Sequence, residues 1–140
     1  MKVGVSMLWS SNYEIGNAKV DSEHKEIFGM VERLLEDDFT GRPDKIKTVI
    51  GFLADYVTRH FQNEENLMKE SGYAQISVHV KQHQDFALEV KRLVERIDAD
   101  FDSIDLSLEV NKIIVDWLGE HVMGSDKAMI DHYRAWTAKK

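Results

Sequence analysis

The stretch HFQNEENLMKESGYAQISVHVKQH, residues 60–83, contains two helical patterns separated by one short break. On both sides of the break, apolar residues and histidines recur every three or four positions, as they do on one face of a helix. Gly72 lies at the break, and glycine is the residue that most often ends a helix. Because the break is short, the two helices are predicted to pack side by side in opposite directions.

The rest of the chain has the same organisation. Helices are predicted over about 21–36, 43–70, 74–99 and 103–123, with Asp21 and Ser103 as N-terminal caps and Pro43 in a first turn. Gly124 is expected to end or unwind the fourth helix. The predicted fold is all-α: an antiparallel up-down-up-down four-helix bundle (21–123) with an irregular N-terminal arm (1–20) and a C-terminal tail (124–140) containing a short helix. The length of 140 residues is that of one domain.

Composition excludes several classes of function. The net charge of −7 disfavours binding to nucleic acid or to an anionic membrane. Cysteine is absent, which removes disulfides, thiolate nucleophiles and iron–sulfur clusters, so any metal must be held by histidine and carboxylate. No apolar run is long enough to span a membrane, and the N-terminus does not look like a secretory signal, so a cytoplasmic location is expected.

Six polar residues interrupt the apolar faces of the predicted helices. They lie at the start of the first and third helices and near the end of the second and fourth, which places all of them at one end of an antiparallel bundle. Burying them unpaired would cost about 1–3 kcal/mol each, a cost that metal coordination would remove. The six residues are His24, His60, Glu64, His79, His83 and His121.

Asp126 is a seventh candidate ligand. It follows His121 by five residues and would lie about 140° away on a straight helix. It reaches the same site only if the helix opens, which Gly124 favours; a surface charge in a loop is the alternative. Seven ligands are too many for one six-coordinate ion. Two ions that share both carboxylates and an oxo or hydroxo bridge would leave one position open, and iron suits this ligand set best.

At this point the residues match a known family. The motifs VDSEHKEIF, HFQNEE, HVKQH and WLGEHVMGSD resemble those of hemerythrins, specifically the single-domain bacterial hemerythrins, from Trp9 to about Asp126. The resemblance implies that His79, His83 and His121 hold one iron and that His24 and His60 hold the other. It further implies that Glu64 and Asp126 bridge the two ions, and that O2 binds at the open position.

The resemblance also suggests residues around the centre. Leu118 matches the apolar residue that lines the O2 pocket, with plain core packing as the alternative; Phe61 and Trp117 are further candidates. Met129 stands where bacterial members often carry tyrosine. Two other residues are expected to face solvent: His132 on the tail, and Glu65, which points about 100° away from Glu64.

The predicted function is reversible O2 binding at a di-iron centre, for storage, delivery or scavenging, without enzymatic activity. Sensing of O2, NO or redox state through the same centre, and iron handling, are the alternatives. NO and other small anions are further candidate ligands. The sequence does not identify a protein partner, which the N-terminal arm or the tail could bind. A ferritin-like oxidase is disfavoured because no Glu-x-x-His motif occurs. A zinc-only site is disfavoured by the number of ligands.

Overall fold

The computed structural model describes residues 9–39, 41–97 and 103–140. These residues form helices and connecting turns, with no strand among them. After a 3₁₀ turn at Ser11–Tyr13, the α-helices are α1 (Ala18–Glu36), α2 (Pro43–Ser71), α3 (Ile76–Arg96), α4 (Ser103–Val110), α5 (Asp116–His121) and α6 (Lys127–Ala138). Two π-helical segments, π1 (Asn111–Val115) and π2 (Val122–Asp126), join α4, α5 and α6.

The ends of α2 are those that the sequence predicts. Pro43 occupies the first turn, where its missing N–H leaves no hydrogen bond unmade. Gly72 adopts a left-handed conformation with φ of 65°, and the N–H of Tyr73 bonds back to the carbonyl of Met68 at 3.0 Å. This is a glycine-terminated helix end.

The first helix begins three residues earlier than predicted, and its cap is a different residue. The side chain of Asn17 accepts a hydrogen bond from the N–H of Val20 at 3.1 Å and so caps α1. Asp21, the predicted cap, lies within the first turn. Its carboxylate accepts from the N–H groups of Ile15 at 2.8 Å and Gly16 at 3.3 Å, so it ties the N-terminal arm to the helix.

The third and fourth helices also differ from the prediction. α3 spans Ile76–Arg96, and the predicted end at Ala99 lies outside the described residues. Ser103 begins α4 as predicted, but its side chain is not among those described, so its capping role stays a prediction. Gly124 does not end the fourth helix. The chain remains helical across π2 into α6, because the backbone at His121, Asp126 and Lys127 keeps right-handed helical angles.

The helices pack as an antiparallel bundle. α1 contacts α2 and α4, α2 contacts α3, and α3 contacts π1, so the helices form a closed ring around an apolar core. Side chains such as Phe28, Ile50, Leu93 and Ile114 fill that core and are almost completely buried. α6 packs on α2 beyond the bundle end. Among the described residues, no helix is long and apolar enough to cross a membrane.

Candidate metal centre

Seven polar side chains meet inside one end of the bundle. Each is at most 6% exposed, which is rare for ionisable groups that have no partner. They come from the start of α1, the last third of α2, the start of α3 and the region around α5 and π2, as expected for antiparallel helices. The seven are His24, His60, Glu64, His79, His83, His121 and Asp126.

The π2 segment accounts for the position of Asp126. A π-helical turn contains more residues than an α-helical one, so a residue five positions after His121 returns to the same face. Oδ1 of Asp126 consequently lies 3.0 Å from Nε2 of His121, and the residue is 1% exposed. The helix therefore opens between the two residues, as the predicted ligand role requires. The helix opens by widening into a π turn and does not break.

Glu64 directs its two carboxylate oxygens toward different histidines. Oε2 lies 2.8 Å from Nε2 of His60 and 3.2 Å from Nε2 of His24. Oε1 lies 3.0 Å from Nε2 of His83 and 3.5 Å from Nε2 of His79. The carboxylate thus stands between two separate groups of imidazoles.

Asp126 has the same arrangement. Its Oδ2 lies 3.0 Å from Nε2 of His24, whereas its Oδ1 lies 2.9 Å from Nε2 of His79 and 3.0 Å from Nε2 of His121. Each carboxylate therefore offers one oxygen to each group of histidines. One group comprises His79, His83 and His121, and the other comprises His24 and His60.

The donor atoms are too close together to be unrelated, yet most are not hydrogen-bonded. Six buried atoms in the centre have no aligned hydrogen-bond partner among the described residues: Glu64 Oε1, both carboxylate oxygens of Asp126, and Nε2 of His79, His83 and His121. Ligand atoms about 2.1 Å from one ion and at right angles to each other stand about 3.0 Å apart. The observed separations are of this size, so the residues fit a pair of bound metal ions.

The histidines and carboxylates of the centre shift one another's pKa values. Burial alone would lower the pKa of His60, but Glu64 and a hydrogen bond to Glu23 raise it to about 10. Burial likewise lowers the pKa of His79, and short contacts with Asp126 and Glu64 raise it to about 9. Burial raises the pKa of both carboxylates, but the neighbouring histidines outweigh it and hold each pKa well below its usual value.

Glu23 supports His60 from outside the centre, a contact that the sequence analysis missed. Its Oε1 accepts a hydrogen bond from Nδ1 of His60 at 2.9 Å, and its Oε2 accepts one from the amide of Asn63 at 2.8 Å. A proton held on Nδ1 leaves the Nε2 lone pair directed at the centre. The available signal was the position of Glu23 directly before His24, but spacing within α1 does not reveal a partner on α2.

The prediction that Glu65 faces solvent is wrong. Its side chain is 20% exposed, and its Oε2 lies 3.0 Å from Nδ1 of His83. α3 packs against α2 on that side, so the side chain of Glu65 meets His83 and not solvent. Glu65 therefore supports His83 as Glu23 supports His60.

Aromatic rings cover two of the histidines. Phe61 is 7% exposed and stacks on His83 with ring centroids 3.8 Å apart, and Trp117 is half-buried and stacks on His121 at 4.3 Å. Leu118 is 3% exposed, so it is core, and its role in lining a pocket stays a prediction.

Two residues on α6 complete the surroundings. His132 was expected to be solvated, but its Nε2 lies 2.9 Å from the carbonyl oxygen of Ser71 and its ring packs on Tyr73 with centroids 5.1 Å apart. It therefore attaches α6 to the end of α2. Met129 is 1% exposed, so it is part of the core.

Comparison with known proteins agrees with this geometry. The family model for the hemerythrin HHE cation binding domain matches residues 16–133. A bacteriohemerythrin from Clostridium acetobutylicum is 30% identical over 129 residues, covering 89% of this chain and 98% of that protein. One from Pseudomonas paraeruginosa is 32% identical over 129 residues, covering 91% and 82%. A crystal structure of a mutant with phenylalanine in place of a leucine has a TM-score of 0.71 and 26% identity, covering 86% of this chain and 91% of that chain.

Proposed function

The chain belongs to the hemerythrin family, an iron-binding and oxygen-binding family, and on that premise we propose that it binds O2 reversibly at a centre of two iron ions. The observation that carries the proposal is the arrangement of the two carboxylates. Glu64 and Asp126 each place one oxygen beside a group of three histidines and the other beside a group of two.

The unequal groups leave room for a ligand. The first ion would be held by three histidines and two carboxylate oxygens, and the second by His24, His60 and two carboxylate oxygens. With an oxo or hydroxo group as a further shared ligand, the first ion would have six ligands and the second five. O2 would bind at the remaining position, next to His24 and His60. A ferrous pair with an open position supplies the electrons that reversible O2 binding requires.

The surrounding residues hold this arrangement and exclude water from it. Glu23 and Glu65 keep the Nδ1 protons of His60 and His83, so both Nε2 lone pairs stay available for metal. Phe61 stacks on His83 and contributes apolar surface there. Leu118, which is buried, is proposed to line the pocket with it. A dry pocket favours release of O2 as O2, because loss of reduced oxygen species requires protons. Storage, delivery and scavenging all use this property.

Metal analysis and optical spectroscopy test the proposal. We expect two iron atoms per chain after reconstitution, and a visible band that appears when the anaerobically reduced protein meets air and disappears when O2 is removed. A reconstituted sample with one metal per chain, or one that prefers zinc, would contradict the di-iron centre. Immediate irreversible oxidation with no reversible band would contradict O2 carriage and favour sensing or iron handling.

A further inference from the structure

Trp117 links the candidate metal centre to the protein surface. Its indole stacks on the imidazole of His121, with ring centroids 4.3 Å apart and ring planes within 13° of each other. It also stacks on Phe86 of α3, at 4.3 Å and 27°. Trp117 is half-buried, whereas Phe61, which stacks on His83, is 7% exposed. Of these two rings that stack on candidate ligands, only that of Trp117 is substantially accessible to solvent.

Trp117 lines an open groove of about 410 Å³ between α3 on one side and π1 and α5 on the other. Its neighbours in the groove include four exposed acidic residues and one lysine: Asp85, Glu89, Asp116, Glu120 and Lys112. Two of these acids are paired with nearby cations, Asp85 with Lys81 at 3.1 Å and Glu89 with Arg92 at 3.5 Å. Asp116 and Glu120, beside Trp117, therefore supply the negative charge, which Lys112 only partly offsets. The resulting modest negative potential raises the local concentration of cations and lowers that of anions.

A centre that carries O2 needs a route for electrons. Occasional oxidation leaves both irons ferric, and a ferric pair does not bind O2, so the function proposed above requires reduction by an external donor. Electron transfer slows steeply with distance. It is therefore fastest where a surface-accessible aromatic ring touches a metal ligand, and Trp117 on His121 is such a contact.

We propose that Trp117 is the residue through which a positively charged one-electron donor reduces the oxidised di-iron centre. This inference rests on the proposed function. Two donor molecules each lose one electron, and the two ferric ions each gain one and become ferrous. One proton from solvent converts the bridging oxo group to hydroxo, so charge and atoms balance. The acidic groove selects the donor by its charge, and the stacked indole and imidazole carry the electron inward.

The direct test is the rate at which hexaammineruthenium(II) reduces the diferric protein, followed anaerobically by the loss of ferric absorption. We expect Trp117→Leu to slow reduction severalfold and Trp117→Phe, which keeps a stacked ring, to stay near the parent rate. Trp136→Leu on α6 is the control, because Trp136 packs on Tyr133 and not on a candidate ligand. A Trp117→Leu protein that keeps two irons and is reduced at the parent rate overturns the proposal.

A second test changes only surface charges, so it does not depend on whether the Trp117→Leu protein folds normally. Replacing Asp116 with Asn and Glu120 with Gln should slow reduction by hexaammineruthenium(II) about threefold at low ionic strength and have little effect at high ionic strength. The matched control replaces Asp55 and Glu70, two exposed acids on α2, in the same way. Equal slowing in the Asp116/Glu120 variant and the Asp55/Glu70 variant would show that the groove does not select the donor.

A third measurement needs no iron chemistry. In the full chain labelled with 5-fluorotryptophan, hexaamminechromium(III), an inert paramagnetic cation, should broaden the ¹⁹F signal of Trp117 more than those of Trp9 and Trp136. Equal broadening of the three signals counts against the groove. Reduction kinetics and O2 binding are read separately, so a protein that is reduced through Trp117 but shows no reversible O2 band would contradict the proposed function and not this route.

Discussion

The Nδ1 atom of His83 lies 3.0 Å from Oε2 of Glu65, one residue after the bridging candidate Glu64. Two adjacent glutamates thus serve the same centre in different ways: Glu64 from inside, and Glu65 through an imidazole. The carboxylate of Glu65 accepts the Nδ1 proton, which fixes the tautomer of His83 and makes its Nε2 a stronger electron donor.

The first prediction concerns Glu65→Ala. Its loss should weaken metal binding about 10- to 100-fold, because the orientation and tautomer of His83 are no longer fixed. A solvent-facing Glu65, as the sequence alone suggested, would instead have no effect on the centre when replaced. Competition with a chelator measures the affinity, and Glu70→Ala, an exposed glutamate on the same helix, is the control. If both variants bind iron like the parent, the contact with His83 has no role in holding the metal.

The second prediction concerns Glu64→Ala. This variant should retain fewer than two irons per chain under conditions that load the parent fully, because Glu64 offers an oxygen to each group of histidines. Removing it leaves both ions short of a ligand, whereas Glu65→Ala should still load two irons when iron is in excess. Iron analysis of gel-filtered protein distinguishes the two. A Glu64→Ala protein with two tightly held irons would show that the carboxylate does not bridge.

The third prediction concerns Gly124, which lies in π2. Its φ is not positive, and a methyl group added there meets no atom within 4 Å, so nothing in the π turn requires glycine. Gly124→Ala should therefore keep Asp126 in place and stabilise the protein by about 0.5–1 kcal/mol. Gly72→Ala should destabilise it by about 1 kcal/mol, because φ there is 65°. Thermal unfolding with iron analysis checks both; loss of iron in Gly124→Ala would mean that the π turn depends on glycine.

The fourth prediction concerns protons. The pKa values of His60 and His79, about 10 and about 9, lie above the unfolded value of 6.5. Their protons stabilise the metal-free fold fully below pH 6.5, and this contribution is lost as the pH rises through about 9 to 10. Burial lowers the pKa of His24, but Asp126 and Glu64 raise it overall. Metal binding at pH 8 should therefore release at least two protons per chain, and affinity should rise with pH. Calorimetry in buffers of different ionisation enthalpy counts the protons; a release near zero would contradict the raised pKa values.

Local signals in the sequence predicted the fold and which polar side chains lie together at one end of the bundle. Helical spacing placed His60 with Glu64 and His79 with His83, because residues four apart share a face whatever the helix packs against. Antiparallel packing brought His24 and His121 to the same end. The ends of α2 were predicted because proline and glycine act on their own turns.

Contacts between helices were not predictable in the same way. Whether Glu65 or His132 meets solvent depends on which helix lies beside it, and periodicity within one helix does not contain that information. Asn17 replaced Asp21 as the cap of α1 because the arm folds back and uses the Asp21 carboxylate. The π turn was foreseen only as an opening near Gly124, because a widened turn and a broken one look alike in sequence.

The last prediction concerns Leu118, which is 3% exposed and lies one turn before His121. Leu118→Ala should destabilise the protein by about 2–5 kcal/mol, since it leaves a cavity in the core. That loss alone does not distinguish core packing from shielding of the centre. Leu118→Asn does, because asparagine is similar in volume but polar and would admit water. We expect Leu118→Asn to keep two irons while its O2-dependent visible band decays faster in air than that of the parent, because water supplies the protons that irreversible oxidation consumes. Decay at the parent rate in a protein with full iron content would make Leu118 ordinary core and place the O2 pocket elsewhere.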